Sequence, residues 1–390
     1  MKRRALLLVC GLFLVGAAAI ARDAPNTLSA DELDDGWILL FDGQTTFGWK
    51  PSGDANWRVA DGVISVDSGE PGLLNTTTEF GDYVLKVDFR APQGTNSGVF
   101  LRTPAKPTNP AVDCYELNIA DKKVSPFPTG SFVGREKAEP TQETSQWRTF
   151  TVKAEGGHFT VAIDARRVLD YIDPRPLGRG YIGLQFNMGQ VEFRNVKLKP
   201  LGLESIFNGR DLTGWKAHPG KNSKFTVTPE RALNVKNGNG QLEFQHPIAD
   251  FVLQLEIFSG GKHLNSGIFF RNIPGEFWQG YESQIQNGYR DGDRTQPIDY
   301  GTGAFYRRQK ARKVVPNDFE WFTKTLIAEG DHMAAWVNGY QVSDWTDTRQ
   351  PDDNPRNGKR LAAGTIAIQG HDPTTDLSFR KLRLGEIPPR

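Results

Sequence analysis

The stretch NSGVFLR at residues 96–102 returns as NSGIFFR at residues 265–271, and this repeat decides how the rest of the chain is organised. YELNI at residues 115–119 likewise returns as YESQI at residues 281–285, and FDG, GWK, TG, IGLQ and VEFRNVKL have counterparts in the same order. Such a shared order of distinctive segments indicates an internal duplication. We therefore predict two homologous domains, residues 35–200 and 203–386, joined by a very short link.

Within each copy the local pattern is that of β-strands. Segments such as DYVLKVDFR and FTVAIDARRVLDY alternate apolar with polar residues and are bounded by Gly, Pro, Asn and Asp. No segment sustains the 3.6-residue period of a long helix. Many short strands in each copy indicate an all-β fold, a two-sheet antiparallel sandwich of jelly-roll type.

The composition is that of a globular protein and gives no sign of a nucleic-acid partner. Of the 390 residues 38% are hydrophobic and 24% charged, and 47 Lys and Arg stand against 46 Asp and Glu. A net charge near zero provides no global field for nucleic acid or an anionic membrane, so such partners would need a local basic patch. The nearest candidate, RRQKARK at residues 307–313, lies among loop signals, and we expect a solvated loop there.

The N-terminus has the pattern of an export signal. Lys2, Arg3 and Arg4 precede an apolar run that ends in Ala19-Ile20-Ala21, a small-x-small cleavage pattern. The run is shorter than the roughly 20 residues that span a bilayer. We predict a signal peptide over residues 1–21, no membrane span, and a secreted or periplasmic mature protein.

Two matched strands carry the candidate chemistry. Because side chains alternate along a strand, Glu116 and Asn118 share one face of YELNI, and Glu282 and Gln284 share one face of YESQI. Each copy therefore presents one carboxylate beside an amide. A carboxylate in a groove could act as a general base.

An arginine ends the preceding strand in each copy, Arg102 in the first and Arg271 in the second. If the two strands are neighbours, the arginine and the glutamate of each copy could line one groove. We therefore expect Glu116 near Arg102 and Glu282 near Arg271 as catalytic pairs. A structural ion pair is the alternative.

Further polar residues recur near the end of each copy. Gln185 and Asn187 in the first copy correspond to Gln369 and His371 in the second. Such side chains suit the recognition of sugar hydroxyls, because amides and imidazoles both donate and accept hydrogen bonds. The second copy also has Tyr306 where the first has a valine, and only its histidine titrates near neutral pH. We expect the second copy to be the more active.

These segments resemble the 3-keto-disaccharide hydrolase family, whose sandwich is similar to concanavalin A-like lectins and glucanases. The resemblance rests on F-[DN]-G…GW, the NSG segment, YE-x-x-I, TG-[AS]-F and the C-terminal Q…FR stretch, and it covers nearly all of both copies. It implies two tandem concanavalin A-like jelly-roll β-sandwiches in a secreted bacterial protein. It also implies action on glycosides oxidised at sugar carbon 3.

Such a substrate would need only one carboxylate. A 3-keto group acidifies the proton on carbon 2, so Glu282 as general base and Arg271 as donor to the enolate could expel the aglycone. His371 and Gln369 would then hold sugar hydroxyls or shuttle a proton. The alternative is a non-catalytic carbohydrate-binding protein that uses the same groove, because this fold supports both functions.

Metal and cofactor signals are weak. Asp291, Asp293 and Asp299 offer oxygen ligands for calcium, but Asp-Gly-Asp is also common in turns. The sequence contains no HExxH motif, Gly-rich phosphate loop or nucleotide fingerprint. We expect no cofactor, with calcium as the alternative.

Overall fold

The computed structural model of the protein describes residues 24–142 and 145–388, and the predicted signal peptide at residues 1–21 lies outside the described residues. Within the described residues the chain forms two successive β-sandwiches, each with an eight-stranded and a five-stranded sheet. The expected all-β class and the two tandem concanavalin A-like jelly-roll sandwiches are confirmed.

The first sandwich follows helix α1 (Ala30–Asp34) and contains helix α2 (Pro110–Asp113). Its strands are β1 (Ile38–Leu39), β2 (Trp49–Ser52), β3 (Arg58–Ala60), β4 (Val63–Val66), β5 (Gly72–Thr76), β6 (Tyr83–Arg90), β7 (Asn96–Thr103), β8 (Tyr115–Ala120), β9 (Arg148–Glu155), β10 (His158–Ile163), β11 (Arg166–Ile172), β12 (Tyr181–Met188) and β13 (Val191–Pro200). The larger sheet has the order β11-β10-β9-β6-β13-β4-β3, with β1 beside β13, and the smaller one has the order β2-β5-β12-β7-β8.

The second sandwich repeats this topology. Its strands are β14 (Glu204–Ser205), β15 (Trp215–Ala217), β16 (Lys224–Val227), β17 (Leu233–Lys236), β18 (Gly240–Phe244), β19 (Phe251–Ser259), β20 (Ser266–Asn272), β21 (Tyr281–Ile285), β22 (Tyr289–Arg290), β23 (Asp293–Pro297), β24 (Trp321–Glu329), β25 (His332–Val337), β26 (Tyr340–Thr346), β27 (Thr365–Gly370) and β28 (Asp376–Glu386). The larger sheet has the order β16-β17-β28-β19-β24-β25-β26, with β14 beside β28. The smaller one has the order β15-β18-β27-β20-β21, and β22 pairs with β23 outside both sheets.

Strand β6 illustrates how the sequence forms these sheets. Its residues alternate between fully buried and partly exposed along the whole strand, and the buried members Leu85, Val87 and Phe89 are apolar. An antiparallel strand with one face on the core is expected to show this period of two. The same alternation therefore defines which side chains point into the core and which point outward.

Strand β25 departs from this alternation because both of its faces are buried. Met333 and Ala335 belong to the core of the second sandwich, whereas Ala334 and Trp336 belong to the core of the first. Trp336 is 1% exposed, and its indole N–H donates to the carbonyl of Leu39 at 2.9 Å. The outer face of the second large sheet is thus part of the first domain's core.

Other contacts continue this interface. The N–H of Leu39 donates to the carbonyl of Gly339 at 2.8 Å, in the turn between β25 and β26. Arg312 pairs with Asp42 at 2.8 Å and so connects the segment of residues 307–313 to the first sandwich. The expectation of a freely solvated loop there is wrong for this arginine.

The helices in the described part of the chain are five and four residues long. A bilayer crossing requires about 20 residues of helix. None of these helices has the length and hydrophobicity of a membrane span.

We expect Trp336→Ala to destabilise both sandwiches together. The indole fills space in the first core from a strand of the second sheet, and truncating a buried Trp or Phe typically costs about 3–5 kcal/mol. Urea unfolding followed by circular dichroism measures the loss. Phe319→Ala is the matched control, because Phe319 is 59% exposed and its loss should change the free energy of unfolding little. A second transition left at the wild-type midpoint would contradict the shared core.

Candidate active site

The small sheet of the second sandwich carries the polar residues that the sequence singled out. Alternation along β21 directs Glu282 and Gln284 away from the core, because Tyr281 lies in the core. Gln369 on β27 shares this outward face, because Ile368 points into the core. We call this outward side of the five-stranded sheet the groove face.

A glycine makes room for the candidate base. Glu282 pairs with Phe269 across the β20–β21 ladder, and Gly267 is the next residue of β20 on the same face. A Cβ atom at Gly267 would lie 2.7 Å from Oε1 of Glu282. The absent side chain therefore allows the carboxylate to lie across the sheet toward β27.

Arg356, from the loop between β26 and β27, binds this carboxylate. Its Nη2 donates to Oε2 of Glu282 at 2.9 Å, and its Nε donates to the carbonyl of Trp278 at 3.0 Å. The guanidinium also lies 4.9 Å from the ring centroid of Phe269. Arg356 is thus held on three sides beside the base.

Burial and the neighbouring positive charge shift the pKa of Glu282 in opposite directions. Burial raises the pKa of Glu282 above its ordinary value, and the guanidinium of Arg356 offsets part of this rise. A carboxylate whose pKa is raised toward neutrality is a better proton acceptor than an exposed one.

An aromatic wall borders the groove face. Trp278 stacks on Phe277 with ring centroids 4.5 Å apart and on His371 with centroids 6.0 Å apart. Nδ1 of His371 lies 2.9 Å from the carboxylate of Asp372. A carboxylate accepts hydrogen bonds, so the ring proton lies on Nδ1 and Nε2 is left for a ligand.

Two buried side-chain amides have oxygens that accept no hydrogen bond from the described residues. Gln369 and Gln284 are 2% and 1% exposed, and neither side-chain oxygen has a hydrogen-bond partner within the described residues. The amide nitrogen of Gln284 donates to the carboxylate of Asp299 at 2.9 Å, which fixes its orientation. A buried acceptor left unpaired costs free energy, so both oxygens suit donors such as sugar hydroxyls.

Together these residues enclose a groove of about 650 Å³. Aromatic, amide and charged side chains from five segments of the second sandwich line it: Asn265, Phe277, Trp278, Gln279, Glu282, Gln284, Tyr306, Arg307, Arg308, Arg356, Gln369 and His371. The structure therefore gathers the predicted Glu282, Gln284, Tyr306, Gln369 and His371 at one place.

Arg271 does not belong to this group, and the expected pairing of Glu282 with Arg271 is wrong. Arg271 is fully buried and donates to three main-chain carbonyls and to the carboxylate of Asp250 at 3.0 Å. Its φ of +45° coincides with a register shift between Phe269 and Asn272. This irregularity turns the side chain out of the alternation on which the pairing was based.

The same correction applies to the first copy. Arg102 has a φ of +50° and donates to the carbonyls of three residues and to Asp82 at 2.7 Å. Both arginines therefore tie main-chain segments together and do not face Glu116 or Glu282.

The first copy's groove face is poorer in polar partners. The amide of Gln185 donates to Glu116 at 3.3 Å, and burial raises the pKa of Glu116. Across residues 24–142 and 145–388 the carboxylate of Glu116 forms no salt bridge. Beside it lies a small apolar cluster of Leu73, Phe100 and Cys114.

The two asparagines predicted in the first copy are not placed alike. The side-chain amide of Asn118 is buried and donates to the carbonyl of Phe127 and the hydroxyl of Ser125, so it supports a loop. Asn187 is exposed beyond the centre of the sheet.

The three aspartates considered for calcium do not gather. Asp291 and Asp293 lie at the β22–β23 turn, where Asp293 accepts from Thr295, whereas Asp299 binds Gln284. No group of three His, Cys, Asp or Glu residues able to hold a metal forms in the described part of the chain.

Arg356 was missed by the sequence analysis, although a signal for it exists. Asp173 and Asp347 are 174 positions apart, whereas Gly180 and Gly364 are 184 apart, so the second copy has ten extra residues between them. Arg356 lies within this addition. A length difference next to a matched site would have indicated it.

A buried lysine beneath the groove was also missed. Lys324 on β24 donates to the carbonyls of Ser283 and Gln284 at 3.0 and 3.1 Å, directly after Glu282. The matched residue of the first copy is Phe150, which stacks on Phe89 with ring centroids 4.3 Å apart. Burial lowers the pKa of Lys324 to about 7.

Both sandwiches match the same sequence family. The sequence model of the 3-keto-alpha-glucoside-1,2-lyase-like domain matches residues 36–199 and again residues 202–385. A 3-keto-disaccharide hydrolase of Bacteroides thetaiotaomicron is 29% identical over 104 residues, which cover 22% of this chain and 36% of the relative. The match thus spans about a third of that relative.

Solved structures are similar at low identity. A candidate glycosyl hydrolase of Parabacteroides distasonis is 20% identical with a TM-score of 0.40, covering 46% of this chain and 100% of its own. The carbohydrate-binding module CBM66 of Bacillus subtilis is 16% identical with a TM-score of 0.30, covering 39% of this chain and 95% of its own.

We expect Lys324→Met to raise the melting temperature by a few degrees at pH 6.5 and by much less at pH 10. A lysine in the unfolded chain titrates near about pH 10.4. Between pH 7 and that value folding releases a proton from Lys324, so its penalty is complete below pH 7 and fades as the pH rises.

Calorimetry at both pH values measures the difference. Lys153→Met is the matched control, because the Lys153 side chain is 48% exposed and its replacement should change stability little. A gain that is equal at both pH values would show that the charge of Lys324 carries no penalty.

Proposed function

The chain belongs to the 3-keto-alpha-glucoside-1,2-lyase-like family, and from this premise we propose that the groove of its second copy cleaves 3-keto-glycosides. In this proposal Glu282 is the general base, and elimination followed by hydration is the reaction. The family membership supports a carbohydrate as the substrate. The 3-keto specificity and the roles of the residues are the proposed part.

The observation that carries the proposal is the single carboxylate of the groove. Among the described side chains that line the groove, Glu282 is the one acidic residue. Most glycosidases use two carboxylates, about 5.5 Å apart when retaining and about 6.5–9.5 Å apart when inverting. A ketone at carbon 3 removes the need for the second, because it makes the carbon 2 proton removable by one base.

The first step is proton abstraction. Glu282 takes the proton from carbon 2, and the electron pair moves into the ketone to give an enolate. Arg356, already bound to Glu282, is the donor that we assign to the developing charge. Such a donor lowers the barrier because the charge it meets appears only during the reaction. His371 lines the same groove, and the Nε2 atom of its neutral ring is an acceptor for a sugar hydroxyl.

The second step expels the aglycone. As the enolate returns to the ketone, the bond between carbon 1 and the glycosidic oxygen breaks and a double bond forms between carbons 1 and 2. The departing oxygen takes a proton from protonated Glu282. Addition of water across the double bond then gives the free 3-keto sugar.

The second copy is the proposed catalyst because its glutamate has cationic and imidazole neighbours. Glu116 of the first copy has Gln185 as its partner and lies beside apolar side chains. Export through residues 1–21 belongs to the same proposal, since a glycoside outside the cell would be within reach of an exported enzyme.

We expect Glu282→Gln to lower kcat on a 3-keto-glucoside about 10²- to 10⁴-fold, the usual contribution of a general base. Glu116→Gln is the matched control and should leave kcat within about twofold of the wild type. Turnover is followed by release of the aglycone, with melting temperatures measured alongside. The unoxidised glucoside should not be consumed by any of the three proteins.

The reverse result, with loss in Glu116→Gln and none in Glu282→Gln, would move the activity to the first copy. If the wild type binds the sugar without consuming it, the protein is a carbohydrate-binding protein.

We expect Arg356→Met to move the acid limb of the kcat/KM profile upward by about one pH unit, as neighbouring arginines usually shift carboxyl groups by 1–3 units. Turnover needs ionised Glu282, and loss of the guanidinium removes the charge that holds its pKa down. Lys359→Met is the control in the same loop, since Lys359 pairs with Asp331 at 3.3 Å. A limb that stays in place would exclude Glu282 as the titrating base.

A further inference from the structure

The groove has an excess of positive charge that the proposed reaction does not use. Three of its lining residues are arginines, and one of these, Arg356, is paired with Glu282. Arg307 and Arg308 form no salt bridge with any carboxylate among residues 24–142 and 145–388. We call Arg307 and Arg308 the arginine pair.

The first copy shows what one member of the pair does elsewhere. Arg135 occupies the position that matches Arg308. It binds Asp173 at 2.9 Å and lies 4.4 Å from the ring centroid of Tyr115. In the first copy this arginine therefore forms a structural ion pair.

In the second copy another arginine has taken over that role. Asp347, which matches the aspartate of the first copy, is bound by Arg349 at 2.8 Å, and Arg349 also lies 5.9 Å from the ring centroid of Tyr281. Arg308 instead donates to the carbonyl of Arg356 at 2.7 Å. It has been released from its structural partner and lines the groove.

The other member of the pair has no counterpart in the first copy. Gly134 occupies the matched position, and a Cβ atom there would lie 2.7 Å from the Cβ of Ala111. In the second copy Arg307 adopts a φ of +60°, which a non-glycine residue rarely does, and lies 5.4 Å from the ring centroid of Tyr306. The second copy thus maintains an arginine where glycine would be the less strained residue.

The local field is positive and unbalanced. Burial and the nearby guanidiniums of Arg349 and Arg356 lower the pKa of Arg308, and the carboxylate of Asp347 offsets part of this shift. Mutual repulsion of this kind is relieved when an anion binds between the cations. Guanidinium groups are suited to that, because their planar N–H donors match the two oxygens of a carboxylate or sulfate.

We propose that the arginine pair binds an anionic group of the substrate, so that the groove selects acidic 3-keto-glycosides that bear a carboxylate or a sulfate on the aglycone. This inference rests on the proposed function, which places the sugar ring at Glu282 and leaves the aglycone to extend along the groove. Neutral glycosides remain substrates, but they lack the ion pair.

The test compares two 3-keto-glucosides that differ in one charge, the 4-carboxyphenyl glucoside and its methyl ester. We expect kcat/KM to be about 10-fold or more higher for the acid, since hydrogen bonds to charged groups are worth about 1.5–3 kcal/mol. The advantage should lie mainly in KM and should shrink as salt is raised. A 4-sulfophenyl glucoside tells whether sulfate serves as well as carboxylate.

Variants then locate the anion site. Arg307→Gly, which restores the residue of the first copy, and Arg308→Met should each reduce the ratio of acid to ester toward one. Lys310→Met is the control, because Lys310 is exposed in the same segment and does not line the groove. Melting temperatures identify any variant that fails to fold. Arg307→Gly is expected to fold, because glycine adopts the positive φ of this position without strain.

The outcomes separate this inference from the proposed function. If acid and ester are cleaved equally well, or if Arg307→Gly keeps the wild-type ratio, the anion site is wrong and the proposed function stands. If neither ketone is consumed, the proposed function is wrong. Calorimetric binding of the unoxidised acid and ester glucosides then decides the inference, with tighter binding of the acid supporting it and equal binding overturning it.

Discussion

One buried guanidinium in each sandwich holds the small sheet in place, and the groove depends on it. Arg102 and Arg271 each reach from the end of a strand of the small sheet to carbonyls in a turn of the large sheet and in the loop before the next strand. Gly180 and Gly364 pass so close that a Cβ atom would lie 2.3 or 2.4 Å from the arginine's carbonyl carbon. Removing such a guanidinium would leave buried carbonyls without donors, which is costly in a protein interior. The edge that carries Glu282 therefore has a fixed position relative to the core.

The position of these two arginines also explains where the rule of alternating side chains predicted the site correctly and where it failed. The rule holds along β21, so Glu282 and Gln284 share one face as expected, and Gln369 shares that face on β27, on the other side of β20. It fails at Arg271 because the backbone there adopts a positive φ that no residue pattern announces. A bulge redirects the side chain, and alternation beyond it has no predictive value.

The rest of the site escaped prediction because the sequence analysis compared the copies only within the motifs that they share, and the remaining residues lie outside those motifs. Arg356 lies in an addition that has no counterpart, and Lys324 replaces a core phenylalanine. The repeat established the fold and the two tandem copies, since those depend on what both copies retain. Chemistry that belongs to one copy is found where the two copies differ, by an insertion at Arg356 and by a substitution at Lys324.

The core shared through Trp336 has a consequence for how this duplication can evolve and be dissected. A second sandwich cut free at the link would expose Ala334 and Trp336 on the outside of its large sheet, an apolar surface of the kind that promotes self-association. Neither half can then be lost or transferred to another gene without compensating changes on that surface. The first sandwich covers this apolar surface of the second. Selection can therefore keep the first sandwich for its contribution to stability, even where its own groove face does no chemistry.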